Sequence, residues 1–222
     1  MTLRLHQHPF ASYCQKAIMA FYENGVAFEA VMVDLGDEAS RAAFYALWPM
    51  GKMPVLEDTA RGVVLPEASI VIEHLDTFYP GKVRLLPEDP ALRLRARLLD
   101  RLFDNYIHDP MQRIVGDRLR PEGGKDPAGV ALWRGMLRTA YGVLDDQIGE
   151  GPWALGEVFS FADCAAAPAL FYADALEPIA QTHPRLAAFF KRLRARPSFA
   201  RVVEEARPFR SFFPGPELAQ IE

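Results

Sequence analysis

Residues 51–70 read Gly51-Lys52-Met53-Pro54-Val55-Leu56-Glu57-Asp58-Thr59-Ala60-Arg61-Gly62-Val63-Val64-Leu65-Pro66-Glu67-Ala68-Ser69-Ile70. Two short apolar runs, Val55-Leu56-Glu57 and Val63-Val64-Leu65, flank Thr59 to Gly62, and this pattern predicts a β-hairpin. Pro54 has no N–H to give to a ladder, so it marks an edge or a turn just before the first run. Past Glu67 the period changes. Ile70, Val71, His74, Leu75 and Phe78 recur at helical spacing, which predicts a helix over about 67–78.

Upstream of this hairpin, Leu3 and Leu5 alternate with polar neighbours as in a short strand. Residues 12–24 place Ala17, Ile18, Phe21 and Tyr22 on one helical face. Phe28 to Val33 reads as a second strand, and 38–47 as a weak helix. The order β-α-β-α-β-β-α implies a sheet with helices on its faces. Residues 79–90, with Pro80, Gly81, Pro87 and Pro90, have the composition of a linker. Strand patterns stop there. Leu94, Leu98, Leu99, Leu102, Phe103 and Tyr106 mark a long helix, expected to bend at Pro110. Helices follow at about 128–148, 161–175, 184–195 and 198–206. The tail from Arg207, with three prolines in sixteen residues, reads as irregular. The chain is thus expected to divide into an α/β domain (1–79), a linker (80–90) and an all-α domain (91–222).

Composition narrows the class. Half of the 222 residues are hydrophobic and the formal net charge is −4; residues 1–80 carry five Lys and Arg against ten Asp and Glu. No electrostatic surface for nucleic acid is expected. The basic-looking run Arg93, Arg95, Arg97 and Arg101 is interleaved with Asp100 and Asp104, which reads as a solvated helix face. Two cysteines, Cys14 and Cys164, make neither a metal cluster nor a disulfide framework and suit a reducing compartment. His6 and His8 lack metal-ligand companions, and no metal is expected. No apolar run approaches the ~20 residues of a membrane span. A soluble cytoplasmic protein that engages no membrane is expected.

The element order, the proline in Gly51-Lys52-Met53-Pro54-Val55-Leu56, the run Leu65-Pro66-Glu67-Ala68-Ser69-Ile70 and the helix start Phe159-Ser160-Phe161-Ala162-Asp163 together resemble the cytosolic glutathione S-transferase family, over about residues 2–206. The closest likeness is to serine-type, bacterial-like members. The resemblance implies a thioredoxin-like N-terminal domain that binds glutathione and an all-helical C-terminal domain that shapes a second-substrate pocket. It also implies a homodimer. In the family the bond before the equivalent of Pro54 is cis and turns the backbone of the preceding residue, here Met53, toward the cysteinyl part of glutathione. Glu67 and the backbone of Ala68 are then expected to hold the γ-glutamyl end, since a helix N-terminus suits a carboxylate. Lys52 is expected near the glycyl carboxylate. The family's usual serine is replaced by Ala68, which keeps the N–H and loses a hydroxyl, and Trp48 stands where the family often has Asn.

The expected chemistry lies in Pro9-Phe10-Ala11-Ser12-Tyr13-Cys14-Gln15-Lys16. A thiol of pKa ~8.5 is ~3% ionised at pH 7. Lowering that value by two units takes ~2.7 kcal/mol. A hydrogen bond to a charged group gives ~1.5–3 kcal/mol, and a helix N-terminus ~0.3–1. One hydroxyl is therefore sufficient. Ser12 is the expected group, although Ser12 and Gln15 also have the spacing of a capping box. Tyr13 and Cys14 stay open as alternatives, and the family's serine register falls on Ala11. Tyr106, Pro110, Met111 and Ile114 are expected near the second-substrate pocket. The expected function is transfer of glutathione to a small hydrophobic electrophile in detoxification. A glutathione-dependent isomerase, a cysteine-type thiol reductase and a non-catalytic adaptor of the same fold are the competing readings. Ser160 and Asp163 also have capping-box spacing at the head of a mostly apolar helix.

Overall fold

The computed structural model describes residues 2–149, 151–180 and 182–217. Its first part alternates β1 (Leu3–Gln7), α1 (Ser12–Asn24), β2 (Glu29–Met32), α2 (Glu38–Leu47), β3 (Val55–Asp58), β4 (Val63–Pro66) and α3 (Ala68–Phe78). The strands form one mixed sheet in the order β2-β1-β3-β4. β1 runs parallel to β2, and the other two pairings are antiparallel. Leu5 faces Ala30 on one side and Leu56 on the other, and both leucines are fully buried. The hairpin read from residues 55–65 is β3–β4. The helix expected from Glu67 begins one residue later, with Glu67 as its N-cap. Gly25 ends α1 in the left-handed conformation at φ 63°; its N–H meets the Tyr22 carbonyl, and that of Val26 meets Phe21.

The second part is helical: α4 (Pro90–Phe103), α5 (Asp109–Arg118), α6 (Pro127–Gln147), α7 (Phe161–Leu176), α8 (Pro184–Ala195) and α9 (Pro197–Ala206). Asp-Pro pairs start α4 and α6. Asp89 accepts from Leu92 N–H and Asp126 from Gly129 N–H, each at 2.8 Å, while the proline at the first helical position has no N–H to orphan. The bend expected at Pro110 is a five-residue π segment, Asp104–His108, placed just ahead of that proline. Pro110 cannot donate to the Tyr106 carbonyl, so the ladder widens before it. The tail is not wholly irregular either, since Arg207–Phe212 wind into a 3-10 turn.

α7 is the central helix, buried on nearly every side, and α1 packs directly on it. Its start is a capping box. Asp163 Oδ2 accepts from Ser160 N–H at 2.8 Å, and Ser160 Oγ accepts from Ala162 N–H at 3.3 Å. Asp163 Oδ1 also accepts from Ala154 N–H at 2.8 Å, so one carboxyl fastens both the helix and the preceding loop.

Candidate active site

Met53–Pro54 is a cis peptide, between the α2–β3 loop and β3. Gly51 turns that loop at φ 63°, a conformation that favours glycine, against the Tyr45 ring, where a Cβ would fall 2.4 Å from Cζ. Glu67 holds φ 72°, a conformation that costs a non-glycine residue about 1–3 kcal/mol and collects at functional sites. Its carboxylate makes no cap bond and stays exposed above the first turn of α3. Lys52, Met53, Pro54, Glu67, Ala68 and Ser12 line one cavity of about 600 Å³.

Ser12 is the first residue of α1, not its cap; the N-cap is Ala11, which offers no side-chain acceptor. The Ser12–Gln15 capping box does not form. Gln15 is fully buried and its amide donates to the Pro9 carbonyl and the Tyr172 hydroxyl, both at 2.9 Å, because α7 packs against α1 at this level. Among the described residues the Ser12 hydroxyl meets one partner, accepting from Gln112 Nε2 at 3.3 Å. Its own proton is left to donate. The alternatives are differently placed. Cys14 is fully buried and burial pushes its thiol up to about 12. Tyr13 donates to the Asp104 carbonyl at 3.3 Å; burial, then the charge of Asp104, raise its hydroxyl above the usual value.

A second cleft, of about 310 Å³, adjoins the first and shares Ala11, Ser12 and Gln112 with it. Its walls are apolar, with Phe10, Met111, Val115, Leu119, Tyr172 and Phe213 among them. Of the four residues expected beside the second substrate, Met111 lines this cleft. Pro110 and Ile114 are buried without lining it. Tyr106 points elsewhere, into a groove between α4 and α6 with Leu102 and Leu132. Five residues separate Tyr106 from Met111, about 1.4 turns at 3.6 residues each, so the two leave the helix on different faces. Sequence reading missed Gln112 and the tail residues Phe212, Phe213 and Pro214. The apolar pair Phe212-Phe213 in an otherwise irregular tail was the available signal.

Behind the polar cavity lies a charge cluster. Lys16 is fully buried and pairs with Asp100 at 2.6 Å and Asp104 at 2.7 Å; it also donates to Ser69 Oγ at 2.8 Å. The face read as solvated is so only for its arginines, since Asp100 and Asp104 turn inward to meet Lys16. Burial raises the Asp104 carboxyl, but the Lys16 charge and the nearby His108 ring, 3.6 Å away, outweigh it and hold the group below the usual carboxylate range. Burial lowers the His108 pKa; its ring lies 4.2 Å from that of Tyr13, tilted by 32°. Among the described residues no three His, Cys, Asp or Glu side chains gather as metal ligands.

Comparison with known proteins agrees with this geometry. Residues 5–83 match the glutathione S-transferase N-terminal domain and residues 127–192 the C-terminal domain. The chain is similar to the maleylacetoacetate isomerase of Pseudomonas aeruginosa, with 28% identity over 90% of this chain and 93% of that protein. A glutathione S-transferase from Methylobacterium radiotolerans, solved with glutathione sulfonate, is 30% identical over 90% of this chain and 94% of its own, at a TM-score of 0.79. Another, from Methylobacillus flagellatus with glutathione bound, is 26% identical and superposes at a TM-score of 0.81 over 90% of this chain and 98% of its own. With both domains matched in order and a 30% identical relative aligned along nearly its whole length, the chain belongs to the glutathione S-transferase family of enzymes.

Proposed function

We propose that the protein joins the glutathione thiol to a small, uncharged, hydrophobic electrophile, with Ser12 stabilising the thiolate. The observation that carries this reading is the position of Ser12, common to the polar cavity and the apolar cleft, with a hydroxyl not consumed as a cap. Glu67 and the Ala68 N–H hold the γ-glutamyl end, the Met53 backbone beside Pro54 the cysteinyl part, and Lys52 the glycyl carboxylate. The thiol then reaches Ser12 at the head of α1, where the helix dipole adds to the hydroxyl's effect. The test is ultraviolet absorbance of bound thiolate against pH. Ser12→Ala should raise the thiol pKa by one to two units, the equivalent of ~1.5–3 kcal/mol, while Cys14→Ala leaves it unmoved. The reverse pattern would move the chemistry to Cys14.

A glutathione-dependent isomerase is the second reading, supported by the isomerase among the relatives. Maleylacetoacetate is by its chemistry a dicarboxylate, and among the described residues no charged side chain lines the apolar cleft to receive one. That lining favours the transferase. The proposal extends to a division into domains 1–79 and 91–222 joined by 80–90, and to a cytoplasmic role in detoxification. It also extends to a homodimer. The α4–α6 groove, about 640 Å³ and apolar, is bordered by Tyr106, Leu132 and Val143, each more than 40% exposed, and a second copy would cover it.

A further inference from the structure

One wall of the apolar cleft comes from the tail. Phe212, Phe213 and Pro214 stand beside Met111, Val115 and Tyr172, with Phe213 stacked on Tyr172 at 6.4 Å and Phe209 edge-on to His8 at 4.7 Å. What fastens this segment to the helical body is Arg118, at the end of α5. Its two terminal nitrogens meet both Glu217 carboxylate oxygens, at 2.9 and 2.6 Å, and one also donates to the Pro214 carbonyl at 3.1 Å. Both side chains are about three-quarters buried, and the fork-to-fork geometry fixes direction as well as distance. Gly215 makes room for the pair. A Cβ there would fall 2.2 Å from Glu217 Oε2 and 2.4 Å from Arg118 Nη1, the very atoms that bond.

We infer that Arg118 and Glu217 form a latch that sets the width of the second-substrate site, making them positioning residues for specificity. The inference rests on the transferase reading above. With the latch closed the cleft holds about 310 Å³, the low end of the ~300–1,000 Å³ of small-molecule sites, which suits a single-ring compound. With it open, the tail wall swings from the 3-10 turn and larger ring systems enter. The latch does not border the polar cavity, so it acts on the electrophile and not on glutathione.

The experiment compares a chlorodinitrobenzene, with one ring, and a chloromethylanthracene, with three, as electrophiles at saturating glutathione. It uses the full-length enzyme and the variants Glu217→Gln and Gly215→Ala. The first removes the charge and keeps the shape; the second keeps the charge and forces the pair apart. Both variants should raise the three-ring to one-ring ratio of kcat/KM about fivefold or more, because a pocket's fit discriminates on that scale. The one-ring KM should rise about threefold at unchanged kcat, the signature of lost uniform binding. Glutathione affinity by calorimetry stays unchanged, and amide exchange over 209–217 quickens. An unaltered substrate ratio in both variants, with the unmodified enzyme active, overturns the latch alone. A changed glutathione affinity with no change in ratio overturns it too. No turnover of either compound by the unmodified enzyme sinks the transferase reading, and the latch's role in specificity with it.

Discussion

Replacing Asp163 by alanine removes a carboxyl that is fully buried and accepts from two backbone N–H groups, those of Ala154 and Ser160. Each buried donor left unpaired costs ~1–3 kcal/mol, so the gross loss is ~2–6. An opposing effect depends on pH. Burial pushes this carboxyl up to about 7, against the pull of the Ala154 and Ser160 hydrogen bonds and the Arg196 charge. Between its ordinary 3.8 and about 7 the native protein keeps a proton that the unfolded chain releases. Wild-type stability therefore falls as pH rises through that window, by ~1.4 kcal/mol per pH unit. The alanine variant has no such dependence. The expected cost of Asp163→Ala is thus ~0.5–4.5 kcal/mol at pH 5, narrowing by ~2–3 kcal/mol by pH 7. Urea unfolding of both proteins at the two pH values, at one protein concentration, measures it. All other carboxyls are shared and cancel in the difference. A midpoint equal to wild type at pH 5 would refute the cap. A difference that widens with pH would refute the neutral buried acid and make Asp163 a carboxylate. Glutathione affinity of the folded variant should match wild type, and its loss would place Asp163 in the active site.

Glu67→Ala should weaken glutathione binding by at least ~1 kcal/mol, since hydrogen bonds to charged groups contribute ~1.5–3; a calorimetric titration with unchanged affinity in a folded variant would take Glu67 out of the site. Lys16→Met leaves the buried Asp100 and Asp104 with the half-exposed Arg101 as their remaining cation and should destabilise the fold by ~3 kcal/mol at neutral pH. Because the Asp104 carboxyl is held below its usual range, its contribution is present above the unfolded value of ~4 and is lost as pH falls below that. Acid unfolding curves should therefore converge for the two proteins, and parallel curves would contradict the pairing. Leu132→Glu or Val143→Glu puts a charge into the α4–α6 groove and should give monomers in sedimentation velocity; an undisturbed dimer would locate the interface elsewhere.

What the sequence made legible is what repeats or caps locally. Leu3 and Leu5, the hairpin around Thr59 to Gly62, and the helical spacing of Ile70 to Phe78 are short-range patterns, and they delivered the sheet and its helices in order. Ser160 and Asp163 lie three apart, close enough for a spacing rule to find their bond. Ser12 and Gln15 obey the same rule and do not pair, because Tyr172, over 150 residues later, competes for the Gln15 amide. Asp100 and Asp104 read as solvated because their cation lies in α1. Tyr106 and Met111 were grouped by closeness in sequence, although five residues along a helix turn them onto different faces. Gln112 reaches Ser12 across exactly the kind of distance in sequence, 100 residues, over which no local pattern operates.

The burial of Lys16 bears on how halves of such proteins can be exchanged. Its cation belongs to α1 and both of its anions to the segment around the end of α4. A chimaera that keeps residues 1–79 and borrows a helical half from a relative inherits an ammonium with no water to turn to. It loses ~3–5 kcal/mol unless the donor brings acids at the two matching positions, one turn apart on the facing helix. Neutral residues there would leave the ammonium uncompensated, however well the apolar surfaces fit. Compatibility between halves is therefore a matter of this buried charge as well as of shape, and a library of exchanged domains can be sorted by it.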